Sequence, residues 1–324
     1  MPHSHHSHSG QFCPGHARDQ LESIIQHAIA QQMTVFALTE HMPRHDLDRY
    51  PEEVDTSLEE QLANEEAYVK EALRLREAYK AQIQIPIGFE GEWIRPESQE
   101  LIEASIKKHP YDFFIGSVHH VHTVPIDYDH DMYREARSKS GGTDETLFEA
   151  YFDAQYEMLK AVKPPVVGHF DLIRLKSDDP NGRFESMKGV WSRILRNLDL
   201  IAGYGGILEI NSAAVRKGMH EPYPNGEICQ AALAKKIRFC LSDDSHGIDQ
   251  VAHSYGQVLQ FLDKMGIRSV TFLKHCACDG KPDSRESADE RFPTLQDECI
   301  DVERLKENKF QDFTISAGHA SLKA

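Results

Sequence analysis

The sequence lacks any run of about 20 consecutive apolar residues, which is the length that a helix needs to span a bilayer. Its first residues contain no apolar stretch behind a basic start, so they do not have the pattern of a secretory signal. The six cysteines form no Cys-x-x-Cys pair and are scattered through the chain, which is typical of a reducing compartment. We therefore expect a cytoplasmic protein with no membrane segment and no structural disulfide.

Positive charge is also scarce in this chain. Its 36 lysines and arginines stand against 52 aspartates and glutamates, which gives a formal net charge of -16 at pH 7. Such a charge repels the phosphate backbone of nucleic acids from most of the surface. We therefore expect a small-molecule partner and neither a nucleic-acid nor a membrane partner, while the composition leaves the oligomeric state open.

Short apolar runs of β-prone residues alternate with helical patterns along most of the chain. The first helical pattern, RDQLESIIQHAIAQQM, carries an apolar face made of Leu21, Ile24, Ile25, Ala28 and Ile29. The strand-like run TVFALT follows it. This alternation predicts parallel strands in βα units, and seven or eight such units fit a barrel better than an open sheet.

Two stretches depart from this alternation. Between Asp46 and Glu66 the chain has nine acidic residues and one basic residue, and a long helical pattern follows. We predict that residues 46–82 form a solvated, mostly helical insertion in a catalytic barrel that spans residues 1–277. The polar residues 278–324 are predicted to form an extended or partly disordered segment outside that barrel.

Histidines and carboxylates stand at the ends of the apolar runs. These residues are His6 and His8 in HSHHSHSG, His41 in VFALTEH, Glu90 in IPIGFE, His119 in FFIGSVH, His169 in VVGHF, and Asp244 and His246 in FCLSDDSH. In a βα barrel the carboxyl ends of the strands form the active-site face. Imidazoles and carboxylates that converge there predict a polynuclear metal site and metal-assisted hydrolysis.

The histidine-rich start has a competing interpretation, because such segments are often purification tags or adventitious metal-binding tracts. The strand-end residues downstream favour a functional role. Alternate residues of a strand point to the same face, so His6 and His8 can bind one metal while His5 points away. His3 fits no strand-end motif and is predicted to pack in the core or on the surface.

Two further neighbours of the strand-end residues are weighed in the same way. His120 follows His119 directly and should therefore point to the opposite face, as a packed or solvent-exposed histidine. Asp243 precedes Asp244 and is an alternative ligand, but the Asp-x-His spacing to His246 favours Asp244.

Seven motifs occur in one order over roughly the first three quarters of the chain. They are HSHHSHSG with His16, TEH, GFE, GSVHH, GHFDLIR, NSAAVR and SDDSH. In this order they resemble the polymerase and histidinol phosphatase (PHP) family, and within it the fungal histidinol-phosphate phosphatases. The resemblance implies a distorted seven-stranded (β/α) barrel with three metal ions, commonly zinc, iron or manganese.

The resemblance also implies nine metal ligands, divided among the three ions. They are His6, His8 and Asp244 for the first ion, His119 and His169 for the second, Glu90 as the bridge between these two, and His16, His41 and His246 for the third. Imidazole and carboxylate ligands suit zinc, iron and manganese. The segment CPGHARD has one residue more before His16 than the family pattern has.

The implied reaction is the hydrolysis of a phosphate monoester, histidinol phosphate, in histidine biosynthesis. Arg174 and Arg216 match phosphate-binding arginines of the family, although an arginine after a strand is usually a solvated surface charge. Asp244 is a candidate general acid for the leaving alkoxide. Two alternatives stay open: another phosphoesterase on this scaffold, such as a nucleotide phosphatase or nuclease, and a non-enzymatic histidine-rich metal-binding protein.

Overall fold

A computed structural model of the chain describes residues 2–276 and 289–307. The strands are β1 (His3–Ser4), β2 (Val35–Phe36), β3 (Leu38–His41), β4 (Ile87–Glu92), β5 (Ile115–Ser117), β6 (His120–Val121), β7 (Val124–Pro125), β8 (Val166–Val167), β9 (Ile207–Asn211), β10 (Arg238–Ser242), β11 (Ser269–His275) and β12 (Leu295–Asp301). The helices are α1 (Leu21–Ala30), α2 (Leu58–Tyr79), α3 (Ser98–Lys108), α4 (His130–Lys139), α5 (Asp144–Val162), α6 (Lys188–Tyr204), α7 (Ala213–Arg216), α8 (Gly226–Ala234), α9 (Tyr255–Met265) and α10 (Val302–Lys306).

Six parallel strands form the central sheet in the order β10, β9, β8, β5, β4, β3. Residues 3–9 run between its two edges. On one side Ala37 N donates to Ser4 O at 2.8 Å, and on the other His5 N donates to Leu241 O at 3.2 Å. The N-terminal segment therefore closes the sheet as a seventh strand, and the predicted α/β fold with a distorted (β/α)7 barrel is confirmed.

Helices cover the outside of this barrel because each presents an apolar face to it. In α1, Leu21, Ile24, Ile25 and Ala28 are buried in the core and Ile29 is half-buried against it, as the spacing predicts. Burial of each large aliphatic side chain contributes roughly 1.5–3 kcal/mol. The apolar side chains whose spacing predicts the helices are therefore also the ones that pack them on the barrel.

Helix α2 differs from the predicted solvated insertion. It connects the adjacent parallel strands β3 and β4, which is the place of a crossover helix. Val69, Ala72 and Leu75 are buried, and the Tyr68 hydroxyl donates to Gly88 O of β4 at 2.7 Å. Because this face is apolar at helical spacing, α2 belongs to the helical layer of the barrel. Residues 46–57 precede it and contain two short 3-10 helices, Asp46–Asp48 and Pro51–Glu53.

Part of the chain after β11 also packs on the barrel. Strand β12 pairs antiparallel with β11 over the full length of both. Phe292 precedes β12 and is buried, and Val302 and Leu305 bury one face of α10. The segment predicted to lie outside the barrel from residue 278 therefore packs on it over residues 289–307. Residues 277–288 and 308–324 lie outside the described residues, so the boundary at residue 277 stays a prediction.

None of the helices in the described ranges is long and apolar enough to cross a membrane. Five cysteines lie in the described ranges and form no disulfide there: Cys13, Cys229, Cys240, Cys276 and Cys299. The sixth, Cys278, lies outside the described residues.

Candidate metal centre

The carboxyl ends of the barrel strands bring the predicted ligands to one end of the molecule. His41 ends β3, Glu90 lies in β4, His119 follows β5, His169 follows β8, and Asp244 and His246 follow β10. His6 and His8 come from the closing N-terminal segment. Strand ends hold side chains more rigidly than long loops do, which suits a site that must fix several ligands.

Glu90 and three other buried side chains surround one point. Glu90 Oε2 lies 3.4 Å from His6 Nε2 and 3.5 Å from His8 Nε2. Asp244 Oδ1 lies 3.8 Å from His6 Nε2 and 3.5 Å from His8 Nε2. These are the four residues that the resemblance assigns to the first metal ion and its bridge.

The second carboxylate oxygen of Glu90 faces another pair of histidines. Glu90 Oε1 lies 3.0 Å from His169 Nε2 and 3.4 Å from His119 Nε2. The two Nε2 atoms are 3.1 Å apart. Glu90 therefore presents a different oxygen to each of two groups of imidazoles, which is the geometry that a bridging carboxylate needs.

The third predicted group is looser than the first two. Its members His41 and His246 have ligand atoms within 4.8 Å of each other, and the third residue of that set is His8, which was predicted for the first ion, instead of His16. The ring of His16 is 5.8 Å from that of His41, and its Nδ1 is 2.9 Å from Glu52 Oε1. His16 thus stands at the edge of the cluster, and the extra residue before it in the sequence is consistent with that position.

Several ring nitrogens in the cluster fit a bound cation. His6 Nε2, His8 Nε2 and His41 Nε2 are buried and have no hydrogen-bond partner among the described residues. Leaving a buried polar group unpaired costs about 1–3 kcal/mol, so such atoms are rare without a ligand. Neutral imidazole nitrogens beside carboxylates are a donor set of zinc, iron and manganese. The residues therefore fit transition metal ions.

The electrostatics of the cluster favour cations as well. Burial alone would raise the pKa of Glu90, but positive charge on His6 and His119 holds it well below its usual range. Burial alone would likewise raise the pKa of Asp244, and positive charge on His6 and on the nearby His8 lowers it well below its usual range. Both carboxylates therefore stay ionised when positive charge faces them, which a protonated imidazole or a bound cation supplies.

A buried glutamate that sequence reasoning missed orients His6. Glu209 lies in β9, and its Oε1 is 2.8 Å from His6 Nδ1. A carboxylate at Nδ1 fixes the tautomer in which Nδ1 carries the proton. The lone pair is then on Nε2, which faces Glu90 and Asp244. The available signal was a charged residue inside the apolar run GGILEIN.

A second glutamate supports two histidines at once. Glu92 Oε1 is 3.0 Å from His119 Nδ1 and 3.3 Å from His41 Nδ1. Arg44 holds this carboxylate in a bidentate pair, with Nε and Nη2 each 2.6 Å from a carboxylate oxygen. Glu92 stands two residues after Glu90 in β4 and so shares its face, a spacing that the sequence analysis did not use.

The alternatives to the predicted ligands have structural partners of their own. Asp243 accepts hydrogen bonds from Ser4 Oγ at 3.0 Å and Ala252 N at 2.7 Å. Burial raises its pKa to about 6. Asp244, by contrast, faces the histidines. His5 is fully buried and bonded to the backbone of the neighbouring strands, so it points away from the cluster into the core.

Arg174 uses most of its hydrogen-bond donors within the protein. Its Nε donates to Asp171 Oδ2, its Nη1 to Pro180 O, and its Nη2 to the carbonyl oxygens of Glu221 and Pro222, all at 2.7–3.1 Å. A guanidinium has five N–H groups, so one remains. The structure thus uses Arg174 to tie together the loops that follow β8 and β9.

Arg216 has more free donors than Arg174. Its Nη1 donates to Asp243 O at 2.7 Å and its Nη2 to Asp244 O at 3.0 Å. Among the described residues these are the only hydrogen bonds of its guanidinium, so three of the five N–H groups are available. The half-buried side chain lies directly beside the Asp244 ligand group.

The purified protein is expected to carry two to three equivalents of zinc, iron or manganese, because each ion takes about three or four of these ligands. Elemental analysis of protein prepared without added metal measures this content. Treatment with a chelator should remove activity, and return of the metal should restore it. A protein that is fully active with no tightly bound metal contradicts this prediction.

Comparisons with known proteins identify the family of this chain. A PHP domain family model matches residues 4–213. A "probable histidinol-phosphatase" of Schizosaccharomyces pombe is 44% identical and covers 85% of this chain and 90% of its own. The histidinol-phosphatase of Saccharomyces cerevisiae is 33% identical and covers 84% of this chain and 91% of its own.

Solved structures share the fold. A histidinol phosphate phosphatase of Lactococcus lactis, solved with zinc, L-histidinol and phosphate, superposes with a TM-score of 0.65 at 20% identity, covering 83% of this chain and 95% of its own. A Listeria monocytogenes structure gives a TM-score of 0.70 at 22% identity, covering 79% of this chain and 99% of its own. With the match to the PHP domain and the 44% identity to a fungal relative, this chain belongs to the PHP family.

Proposed function

We propose that this chain is a metal-dependent phosphomonoesterase that hydrolyses L-histidinol phosphate to L-histidinol and phosphate. One observation carries the proposal: Glu90 presents its two oxygens to two separate groups of buried histidines at the carboxyl ends of the barrel strands. The names of the two fungal relatives support the substrate. A place in histidine biosynthesis and a cytoplasmic location belong to the same proposal.

Three metal ions would be held by the ligand groups described above, with Glu90 between the first two. Bound ions of this kind polarise a phosphoryl group and lower the pKa of a water molecule. The protein's own contribution is to fix the imidazoles. Glu209 holds His6, and Glu92 holds His119, so the ring nitrogens that would bind the ions are oriented in advance.

Asp244 is proposed to move the proton in this reaction. An alkoxide leaves poorly unless it is protonated, so a group must supply a proton to the ester oxygen. Asp244 stands at the first ligand group, with its Oδ1 3.5 Å from His8 Nε2. As a carboxylate it would first accept a proton from the attacking water and then deliver it to the leaving oxygen.

Arg216 is proposed to bind the equatorial oxygens of the phosphoryl group through its free N–H groups. Arg174 is proposed for the same role by its resemblance to the family pattern, although four of its N–H groups bind the protein. The two arginines therefore make different contributions, and we expect Arg216 to be the more important for phosphate and Arg174 for loop structure.

Arg216→Ala should lower kcat/KM for histidinol phosphate by roughly 30- to 1000-fold. Charge-assisted hydrogen bonds in a partly desolvated site contribute about 2–4 kcal/mol, at about 1.4 kcal/mol per factor of ten. Steady-state kinetics and inhibition by inorganic phosphate measure the effect, and phosphate should inhibit the variant less well. Arg216→Lys should recover only part of the loss, because a point charge cannot replace a bidentate fork.

Arg18→Ala is the matched control, since Arg18 is an exposed arginine on the same rim, paired with Asp249. It should change kcat/KM by less than about threefold. Metal content should be normal in both variants. Full activity and full phosphate inhibition in Arg216→Ala would show that this arginine does not bind phosphate.

The proposed substrate is tested by phosphate release from histidinol phosphate, an aryl phosphate and a phosphodiester. Preference for histidinol phosphate supports the proposal. Preference for a nucleotide or a phosphodiester would instead support another phosphoesterase of this scaffold. A metal-loaded protein with no activity on the whole panel would support a metal-binding protein.

A further inference from the structure

Asp127 lies beside the metal centre and has no place in the mechanism above. After His119 the chain forms a short hairpin of β6 and β7. At the end of this hairpin Ile126 N donates to His119 O at 2.9 Å. Asp127 is the next residue, so the backbone itself holds this carboxylate next to a predicted metal ligand.

One oxygen of Asp127 is buried without a partner. Asp127 Oδ1 has no hydrogen bond among the described residues, although the atom is shielded from solvent. The carboxylates of Glu92 and Glu209 differ, because Arg44 and His6 bind them. An unpaired buried carboxylate oxygen costs free energy unless a bound ligand supplies the donor.

The loop after β3 packs against the residue that follows Asp127. The ring of Tyr128 is 6.0 Å from that of Tyr50, and the ring of Tyr50 is 5.1 Å from that of the predicted metal ligand His16. Asp127 therefore stands on the rim of the metal centre, close to the loop after β3 and to His119.

Aromatic rings stand next to this carboxylate. His120 is buried, with its ring 5.1 Å from that of Tyr50, and Tyr128 is 6.0 Å from Tyr50 on the other side. Aromatic rings beside one carboxylate suit an organic cation that carries an aromatic group.

We propose that Asp127 binds the α-ammonium group of the substrate and so selects for an amino alcohol phosphate. This inference rests on the proposed function. In histidinol phosphate the ammonium is borne on the carbon next to the phosphorylated CH2 group, so a carboxylate adjacent to the phosphate site can reach it. The ammonium would donate to Asp127 Oδ1 in a charge-assisted hydrogen bond.

Asp127→Asn tests the proposal with three substrates: histidinol phosphate, its analogue without the amino group, and 4-nitrophenyl phosphate. Loss of one charged hydrogen bond should lower kcat/KM for histidinol phosphate by about 10- to 100-fold. The two substrates without an ammonium should change by less than about threefold. Inhibition by L-histidinol should weaken by the same factor as histidinol phosphate hydrolysis, whereas inhibition by inorganic phosphate should not.

Asp131→Asn is the matched control, because it removes the same charge from an exposed aspartate four residues away. It should leave all three substrates unchanged. If Asp127→Asn lowers kcat/KM equally for all three substrates, or does not lower it for histidinol phosphate, the assignment is wrong while the proposed function stands. A wild-type protein that does not hydrolyse histidinol phosphate would instead overturn the proposed function.

Discussion

Glu90→Gln is expected to remove most of the activity, with kcat/KM for histidinol phosphate falling by at least about 10³-fold. Metal ions contribute several kcal/mol to phosphoryl transfer, and about 4 kcal/mol corresponds to a factor of about 10³. The variant should also lose at least one equivalent of metal. The effect should exceed that of either arginine, because one carboxylate serves two ligand groups.

The geometry around Glu90 explains this expectation. Oε2 lies within 3.5 Å of Nε2 in both His6 and His8, while Oε1 lies 3.0 Å from His169 Nε2. An amide of the same shape keeps one acceptor oxygen but replaces the other with an NH2 donor and removes the negative charge. Two neighbouring cations would then repel each other with less compensation.

Glu65→Gln is the matched control, since Glu65 is also a buried glutamate paired with a histidine, His109, at 3.3 Å. It lies outside the metal cluster and should leave activity per folded molecule within about threefold of wild type. Metal analysis and steady-state kinetics on both variants decide the matter. Near-normal metal content and activity in Glu90→Gln would mean that the bridging ligand has been misplaced.

The sequence predicted the barrel and the strand-end cluster because both follow from local periodicity. A residue that ends an apolar run, such as His41 or His169, lies at the carboxyl end of its strand, and parallel strands align those ends. The same alternation separated His6 and His8 from His5. Each of these predictions depends on a few neighbouring residues, so no knowledge of the tertiary structure was required.

Features that depend on tertiary contacts could not be predicted in this way. Glu209 is conspicuous as a charge inside an apolar run, but its partner His6, like the partner Glu92 of Arg44, is known only once the fold brings them together. The acidic composition of residues 46–66 concealed the apolar face of α2, since a crossover helix needs only one buried stripe. Arg174 donates mainly to backbone carbonyl oxygens of other loops. Every residue has such an oxygen, so the sequence does not indicate which ones bind Arg174.

His6→Asn is expected to lower kcat/KM by more than about 100-fold and to reduce metal content. Loss of groups that merely support a ligand already costs 10- to 100-fold, so loss of the ligand should cost more. His6 Nδ1 is held by Glu209 at 2.8 Å, and its Nε2 faces Glu90 at 3.4 Å. The shorter asparagine cannot keep both contacts. His8→Asn should behave in the same way.

His3→Asn in the same segment distinguishes a structural from a catalytic histidine. His3 is fully buried, and its Nε2 accepts a hydrogen bond from Leu241 N at 3.3 Å in the adjacent strand. Its replacement should lower the melting temperature, because a buried N–H loses its acceptor. Metal content and activity per folded molecule should change little. If His3→Asn and His6→Asn are tolerated equally in rate and metal content, the histidines of this segment behave as a tag would, and the first metal site must be built from other residues.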